Sequence, residues 1–371
     1  MIAHPPVRDG DVVTVSFDDA GEQLVARFRL PPGLEASDSP DVALAAGWLP
    51  AMRRGVPLHV DGEVSPRLAS GASRIAEILL TWDRDLHDPG WYRSVPLVAT
   101  PRTAPTPSSV RSGRGRVACF FTGGVDSFHS VVQLRNEIDA LVFVHGFDLL
   151  DDWNDQLNRR ISERLHEAAS MLGLPLIEVE SNLAAFGRAS NVGWNDYHGA
   201  AMAGVAHLLS PGFSRFVIPA STTYAQLYPL GSHPMVDPLW SSEELEIVHH
   251  GADSTRTEKL RAVADDPASR RHLRVCFENR DGAYNCGRCE KCVRTAVGVR
   301  IAGVEGRFES LPSPSLRQVA DVDIVGLGLA WRDHRRELVR SRANERLRWA
   351  IEIAMVRRRL KETAVGRRWM S

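Results

Sequence analysis

The sequence predicts an α/β protein built on a Rossmann-like parallel sheet flanked by helices. From Val117 onward, short apolar segments of strand length alternate with longer segments of helical spacing, which is the pattern of a parallel sheet. The first apolar segment, Val117 to Phe121, runs through a glycine-rich turn into a helix-like segment. An N-terminal α+β domain and a C-terminal basic helix are expected on either side of this sheet.

The elements of the alternating region follow from apolar periodicity. Runs rich in Val, Phe and Ile predict strands, and apolar spacing of three and four residues predicts helices. One run, Leu141 to Val144, is apolar throughout and predicts a buried strand, which ends in polar groups at His145 and Asp148. The predicted strands are 117–121, 141–147, 174–179 and 215–219, and the predicted helices are about 127–137, 154–172, 195–209 and 290–302.

The first hundred residues carry a different pattern. Val12 to Phe17 and Leu24 to Leu30 alternate in strand fashion around a short Asp- and Gly-containing turn, which predicts a hairpin. A helix is expected over 73–82 and a strand over 96–99. The predicted domains are therefore an N-terminal α+β domain at 1–100, a linker at 101–116, an α/β domain at 117–310 with a cysteine-rich loop at 276–292, and a helical extension at 311–371.

Composition limits the function classes. The chain has 371 residues, 43% of them hydrophobic and 25% charged, with a net charge of −1, so the whole protein carries no nucleic-acid signature. No apolar run approaches the roughly 18 residues that a membrane span needs. The N-terminus lacks the features of a signal peptide. We expect a cytoplasmic protein without a membrane partner; a homodimer is compatible with the sequence.

The segment Thr122-Gly123-Gly124-Val125-Asp126-Ser127 is the most informative one. Adjacent glycines allow a sharp turn and a close approach to a ligand. The free amide groups and the dipole of the helix that follows attract an anion. These six residues therefore predict a phosphate cradle. A plain glycine turn is the alternative, although it leaves Asp126 and Ser127 at the helix start unexplained.

This segment resembles the PP-loop, Ser-Gly-Gly-x-Asp-Ser, of the N-type ATP pyrophosphatase superfamily, with Thr122 in place of the first Ser. Members of that superfamily share a PP-loop or HUP-type Rossmann-like fold. They cleave ATP between its α and β phosphates and transfer AMP to a substrate oxygen. The resemblance implies ATP and Mg²⁺ as cofactors, with Asp126 on the magnesium and Ser127 on the leaving pyrophosphate.

Four of the five cysteines form a second motif, Cys276-x9-Cys286-x2-Cys289-x2-Cys292. A cytosolic cluster of this kind favours metal binding over disulfides. Four thiolates can close a tetrahedral zinc site, and such a site is structural because it has no open position. An iron–sulfur cluster and unliganded cysteines are the alternatives. The fifth cysteine, Cys119, lies inside the first predicted strand.

A PP-loop followed about 150 residues later by this cysteine pattern resembles the 7-cyano-7-deazaguanine synthases. Those enzymes adenylate a carboxylate, add ammonia to form an amide and then dehydrate it to a nitrile. The resemblance covers roughly residues 116–305. Because the N-terminal hundred residues and the basic C-terminus are additional, we expect a larger PP-loop enzyme with its own substrate.

Further site residues are predicted from their positions. Polar groups at the carboxyl ends of parallel strands lie near the ligand, which nominates His145 and Asp148 for the nucleotide. Asp196 and His198 begin a helix, and they either face the nucleotide edge or serve as a cap and a surface residue. Tyr224, Tyr228 and Asp237 lie in a long polar-aromatic segment, 221–240, which either lines the substrate pocket or is a structural loop.

The segment 251–259 turns into a helix and carries Arg256 and Lys259, two further catalytic candidates. Lys259 is one of only three lysines in the chain. Both side chains can reach a phosphate or the charge that develops on the α-phosphorus. The alternative is that Thr255 caps the helix and the charges are solvated.

The C-terminus, 331–371, contains 13 Arg or Lys and 5 Asp or Glu, so it is locally basic. Leu347, Ile351, Ala354 and Met355 form an apolar stripe at helical spacing. Two interpretations stay open. The helix either packs on its own domain with a solvated Arg face, or it docks an acidic partner such as a carrier protein or RNA.

Three functions are compatible with these motifs. The first is an ATP-dependent ligase that adenylates a small-molecule carboxylate or carbonyl, releases pyrophosphate and forms a C–N bond with ammonia or an amine. The second is a PP-loop sulfurtransferase that thiolates a nucleic acid or a small molecule; it needs a reactive cysteine, and only Cys119 is left over for that role. The third is a nucleotide-binding module without enzymatic activity.

Overall fold

The computed structural model of the protein describes residues 1–87, 90–103, 115–147, 156–326, 328–341 and 344–369, with side chains of the last helix described as far as Lys361. The chain divides into two compact units. The sheet unit comprises Met1–Phe121, Leu134–Trp153 and Leu174–Ala252. The helical unit comprises Thr122–Gln133, Asn154–Gly173 and Asp253–Ser371. Because these segments interleave along the chain, the sequence-ordered domains stay a prediction.

The sheet unit contains a mixed sheet with eleven strands among the described residues. From one edge to the other the strand order is β11-β10-β7-β8-β9-β4-β3-β1-β5-β6, and β2 pairs with β3 off this path. The strands are β1 (Ile2–Ala3), β2 (Val7–Asp9), β3 (Val12–Asp19), β4 (Glu22–Arg29), β5 (Leu58–Val64), β6 (Leu97–Pro101), β7 (Val117–Phe120), β8 (Ala140–His145), β9 (Leu176–Ser181), β10 (Arg215–Pro219) and β11 (Glu246–His250).

The part of the sheet from β11 to β9 is parallel throughout. Taken in chain order, its five strands are arranged 3-2-1-4-5 when read from β9, the doubly wound order of Rossmann-like sheets. The strand order reverses between β7 and β10, and ligands of such sheets bind at the carboxyl ends of the strands beside this point. The chain leaves the carboxyl end of β7 directly into the glycine-rich turn.

The predicted α/β class is confirmed, and the strands from Val117 onward pair with one another in parallel as predicted, but the sheet as a whole is mixed. Phe28 and Arg29 of β4 pair antiparallel with Ser181 and Glu180 of β9, so the N-terminal hairpin continues the same sheet. A strand edge exposes unpaired N–H and C=O groups, and β4 satisfies those of β9. The hairpin itself was predicted, yet its pairing partner is about 150 residues away and leaves no local signal.

Four helices belong to the sheet unit: α1 (Asp41–Arg54), α2 (Pro66–Leu86), α5 (Leu183–Ala189) and α6 (Trp194–Leu208). The α1 helix has buried residues all along its length from Asp41 to Met52 and packs against α6. This close contact is possible because both helices are rich in Ala and Gly. On β3, Val13, Val15 and Phe17 are buried in alternation, as a strand with one core face requires.

The helical unit contains α3 (Val125–Gln133), α4 (Gln156–Leu172), α7 (Arg256–Val263), α8 (Pro267–His272), α9 (Glu290–Ala302), α10 (Leu316–Asp321), α11 (Leu329–Ser341) and α12 (Glu345–Trp369). Its C-terminal core buries Val293, Val319, Trp331, Leu347 and Ile351. The predicted C-terminal stripe is therefore buried at Leu347, Ile351 and Ala354, with Met355 half-buried beside them. No helix in the described ranges is both long and apolar enough to cross a membrane.

Candidate functional site

The turn after β7 has the backbone geometry that its glycines imply. Gly123 has a φ of 70°, which lies in the left-handed region that favours glycine. A Cβ atom at this position would lie 2.9 Å from Cδ2 of Leu165. The carbonyl oxygen of Gly123 accepts a 2.7 Å hydrogen bond from the amide of Arg274, which anchors the turn. Substitution of Gly123 would therefore meet both strain and a steric clash.

The α3 helix begins immediately after this turn. The Ser127 hydroxyl donates to the carbonyl of Gly124 at 3.1 Å, and the amide of Phe128 donates to the same carbonyl at 3.0 Å. The amide groups of the first turn of a helix have no partner within the helix, and the helix dipole adds positive potential there. A glycine turn followed by a helix start is thus present at Thr122–Ser127, and anion binding there stays a prediction.

Asp126, Arg256 and Lys259 come together in the helical unit, and with Lys291 they form what we call the Asp126 cluster. Oδ2 of Asp126 accepts a 2.9 Å hydrogen bond from Nη1 of Arg256, and Oδ1 accepts a 3.0 Å bond from Nζ of Lys259. The Asp126 side chain is 21% exposed, whereas that of Lys259 is only 3% exposed. Asp126 and Arg256 lie 130 positions apart in sequence, so nothing local predicts their contact.

The electrostatics of the Asp126 cluster are dominated by positive charge. Burial by itself would raise the pKa of Asp126, but Arg256, Lys259 and Lys291 outweigh that effect and lower this pKa to about 2. The carboxylate is therefore ionised at neutral pH, and among the described residues three cations act on it. A group of cations beside a helix start suits a ligand with several negative charges.

The α7 helix holds two of these cations in place. Thr255 caps it: its hydroxyl accepts from the amide of Glu258, whose carboxylate accepts a 2.7 Å bond from the amide of Thr255. This capping box fixes the first turn of the helix. Arg256 and Lys259 are three residues apart, hence on one side of the helix. Thr255 thus caps the helix, as the second interpretation of this segment states, but the two cations bind Asp126 instead of being solvated. Their contact with a phosphate stays a prediction.

Arg274 was not singled out in the sequence. It is 5% exposed, its backbone holds Gly123, and its Nε atom is buried with no hydrogen-bond partner among the described residues. A buried guanidinium nitrogen without a partner is costly, so it marks a place where a ligand atom can bind. The only sequence signal was its position two residues before Cys276.

The four cysteines of the second motif converge as predicted, and we call them the four-cysteine cluster. Their sulfur atoms all lie within 4.8 Å of one another, and the Sγ atoms of Cys276 and Cys289 are 3.7 Å apart. Four sulfurs at about 2.3 Å from a tetrahedral zinc would be roughly 3.8 Å apart. The donor set thus has the chemistry and the spacing of a zinc site, and zinc itself stays a prediction.

Backbone amides support the sulfur atoms. Asn279 N donates to Sγ of Cys276 at 3.1 Å, Cys289 N to Sγ of Cys286 at 3.3 Å, and Cys292 N to Sγ of Cys289 at 3.4 Å. Hydrogen bonds to sulfur stabilise thiolates. Gly287, with a φ of 68°, makes the tight turn between Cys286 and Cys289.

The proximity of the sulfurs also determines their ionisation. Contacts with Cys289 and Cys292 lower the pKa of Cys276, while contacts with Cys276 and Cys289 raise the pKa of Cys292. One thiolate therefore suppresses the ionisation of its neighbours. A divalent cation removes this conflict because its charge stabilises the deprotonated form of every sulfur that it binds.

The cysteine loop also connects to the Asp126 cluster. Cys289 caps α9, which begins with Glu290 and Lys291. Lys291 is one of the cations that lower the pKa of Asp126, and Glu290 is buried and accepts a 2.6 Å hydrogen bond from Nε1 of Trp331. A metal held by the four-cysteine cluster would therefore fix the helix that carries Lys291.

The remaining predicted residues lie in the sheet unit. His145 ends β8, where its Nε2 is 3.3 Å from a carboxylate oxygen of Glu178. Oδ2 of Asp196 accepts a 3.0 Å hydrogen bond from the Tyr92 hydroxyl, and His198 Nδ1 lies 3.1 Å from the carbonyl of Trp194. Asp148 lies outside the described residues. The nucleotide and substrate roles of these residues stay predictions.

The segment 221–240 contains both solvent-facing and buried residues. Tyr224 is 60% exposed and Tyr228 is half-buried, whereas Asp237 is fully buried. The segment contacts the start of α6, where the amide of Gly231 donates to the carbonyl of Asn195 at 2.7 Å. The start of α6, with Asp196 and His198, is thus adjacent to the segment 221–240, although Asp237 points into the protein.

Asp237 is the centre of a buried hydrogen-bond network. Its Oδ2 accepts from the Ser232 hydroxyl and from Nδ1 of His249, both at 2.7 Å, and its Oδ1 accepts from the amide of His233 at 3.2 Å. Three donors satisfy the carboxylate, which favours a structural role. His249 on β11 had not been predicted as part of any site.

Comparison with known proteins finds no match to this chain. No protein-family model, no curated protein and no solved structure matches this chain. What indicates a function is therefore the chemistry of the Asp126 cluster and of the four-cysteine cluster.

Proposed function

We propose that the protein is an AMP-forming, ATP-dependent ligase of the PP-loop type that joins a carboxylate to ammonia or an amine. The observation that carries the proposal is the Asp126 cluster. A glycine turn and a helix start lie in the same unit as Arg256, Lys259, Lys291 and Arg274, and these are the groups that a triphosphate needs. The resemblance of the turn to a PP-loop indicates which bond would break, namely the one between the α and β phosphates of ATP.

In the proposed reaction, an oxygen of the substrate carboxylate attacks the α-phosphorus of ATP. The bond from that phosphorus to the bridging oxygen breaks, and pyrophosphate leaves with the electron pair. The amine nitrogen then attacks the acyl carbon, AMP leaves, and the nitrogen loses a proton. Arg256 and Lys259 would turn from Asp126 onto the phosphate oxygens and stabilise the leaving charge.

Asp126 would then be free to hold the magnesium ion that accompanies the triphosphate, and that ion would supply positive charge to offset the charge of the phosphates. The amides of Gly124 and Ser127, at the helix start, would bind the leaving pyrophosphate. The zinc expected on the four cysteines would supply folding stability and no open coordination position. The residues of this chain would thus position the phosphates of ATP and offset their charge.

The C–N bond is favoured over sulfur transfer by the state of Cys119. This thiol is fully buried in β7, and burial raises its pKa, so it is a poor nucleophile. The other four cysteines face one another in the four-cysteine cluster. A sulfurtransferase would need a reactive thiol to carry the persulfide.

Carboxylate-dependent exchange of radiolabelled pyrophosphate into ATP tests the adenylation step without knowledge of the amine. The protein is incubated with ATP, Mg²⁺, labelled pyrophosphate and panels of small carboxylic acids. Exchange should appear with one class of acid and be lost in Lys259→Met, while Lys361→Met, which alters an exposed lysine on α12, should exchange normally. If no acid supports exchange but ATP still binds, the protein is a nucleotide-binding module and not a ligase.

A further inference from the structure

The last described helix, α12, has two apolar faces. Leu347, Ile351 and Ala354 form the inner face and are buried in the core of the helical unit. A second stripe lies on the opposite side of the helix, at positions i, i+4, i+7 and i+11. Its members are exposed: Trp349 by 61%, Ile353 by 49%, Val356 by 49% and Leu360 by 62%. We call these four residues the outer stripe.

The outer stripe differs from scattered exposed apolar residues. Its four large side chains follow one line along about three turns of helix, or roughly 16 Å. A helix that packs on its own unit with a solvated outer face carries polar residues there. Contiguous apolar surface of this kind marks an interaction site on a folded protein. The solvated-face interpretation of the C-terminal helix therefore does not account for the outer stripe.

Charge along the stripe indicates the nature of the partner. Between 345 and 361 the helix carries six Arg or Lys and two Glu. At about 100° per residue, Arg346 and Arg357 border the stripe on one side, whereas Glu345 and Glu352 lie on the other. Arg348 lies beyond these two glutamates, and its guanidinium is 5.8 Å from the ring centre of Trp349. An occupant must thus offer apolar groups in its middle and negative charge along the border formed by Arg346 and Arg357.

We propose that the outer stripe of α12 docks an acidic amphipathic helix of a partner protein. Such a helix places apolar side chains at i, i+3, i+4 and i+7 beside a row of carboxylates, which matches the stripe and its one basic border. A second copy of this chain would bring together two helices that each carry six Arg or Lys and two Glu over 345–361, a net charge of +4, which is unfavourable. RNA would pair with the arginines but leave the four apolar side chains in water.

The test measures the binding of a labelled peptide of three Glu-Ile-Ala-Ala-Leu-Glu-Glu repeats by fluorescence anisotropy. The full chain should bind this peptide. Ile353→Gln combined with Val356→Gln should raise the Kd at least about tenfold. Leu86→Gln is the matched control, since Leu86 is 60% exposed on α2 in the other unit, and it should leave the Kd unchanged. Circular dichroism should show all variants folded, because the altered side chains face solvent.

Charge is tested with Arg346→Glu combined with Arg348→Glu, which should weaken the binding of the peptide by a similar factor. Each of four results would overturn the proposal. The peptide does not bind; a peptide with Ser at every Ile and Leu binds equally well; a single-stranded RNA or phosphatidylserine vesicles bind through the outer stripe while the peptide does not; or sedimentation shows a wild-type dimer that Ile353→Gln dissociates.

Discussion

The two units stabilise the carboxylates at their polar centres in different ways. In the helical unit, Asp126 lies beside Arg256, Lys259 and Lys291, which lower its pKa. In the sheet unit, Asp237 is satisfied by Ser232, His249 and a backbone amide. The first carboxylate is thus stabilised by cationic side chains and the second by hydrogen bonds alone among these contacts. Both aspartates were nominated from the sequence, and only the first has an environment that suits an anionic ligand.

Loss of the zinc expected on the four-cysteine cluster should lower the stability of the helical unit and leave that of the sheet unit unchanged. Cys289→Ser should abolish zinc binding and lower the free energy of unfolding of that unit by several kcal/mol, because a structural zinc contributes folding free energy. Elemental analysis and calorimetry check this. An early transition should appear for the helical unit, while the sheet unit melts as in the wild type. Wild-type protein that is fully folded with well under one equivalent of metal would contradict the zinc assignment.

Asp126→Ala should stop the chemistry and leave the protein folded. We expect pyrophosphate release to fall by about 10³-fold, since a contact that stabilises charge in the transition state is worth several kcal/mol. The readout is pyrophosphate release with an accepted carboxylate. Turnover near the wild-type rate would show that Asp126 is not part of the catalytic machinery.

The response of Asp126→Ala to anions tests the difference between Asp126 and Asp237. Without Asp126, the side chains of Arg256 and Lys259 repel each other, and sulfate can take the place of the carboxylate. Sulfate should therefore raise the melting temperature of Asp126→Ala more than that of the wild type. Sodium chloride of equal ionic strength controls for general screening.

Asp237→Asn should affect stability and not anion binding. The amide can replace one carboxylate oxygen, but its NH₂ group then faces a donor. We expect a loss of about 2–3 kcal/mol in the free energy of unfolding from the disrupted hydrogen bonds. Urea denaturation measures this loss. If sulfate stabilised this variant as strongly as Asp126→Ala, the contrast between the two carboxylates would not hold.

Cys119→Ser separates a ligase from a sulfurtransferase. The hydroxyl would be buried in β7, which costs on the order of 1–3 kcal/mol of stability. Product formation should be retained because the thiol only packs in the strand and donates to the carbonyl of Phe120. A folded, zinc-loaded Cys119→Ser protein that binds ATP yet makes no product would favour sulfur chemistry.

The smallest effect concerns pH. The pKa of Asp126 is lowered to about 2, below the roughly 3.9 of an unfolded aspartate. Its stabilising contribution is therefore complete above about pH 4 and is lost as the pH falls through about 2. The stability difference between wild type and Asp126→Ala should shrink over this range. The difference between wild type and Cys119→Ser should stay constant, since a thiol and a hydroxyl do not titrate there.

Sequence patterns identified the local parts of this structure. The glycine turn, the cysteine cluster, the hairpin and most helices of the parallel region depend on neighbours in sequence, so their signals are local. The antiparallel join of β4 to β9 and the contact of Arg274 with Gly123 depend on pairing across more than a hundred residues. Asp237 shows a different limit: its donors Ser232, His233 and His249 are near in sequence, but the polar composition of the loop does not reveal that the carboxylate turns inward.

The interleaved order of the segments has a consequence for protein synthesis. Asp126 leaves the ribosome 130 residues before Arg256, which at about 5–20 residues per second is a delay of roughly 7–26 s. The strands of the sheet unit are complete by His250, before α7 and the cysteine loop exist. A chain interrupted before this point has the glycine turn but none of the cations that pair with Asp126. The nucleotide chemistry proposed for this turn would thereby be confined to chains whose synthesis has passed the cysteine loop.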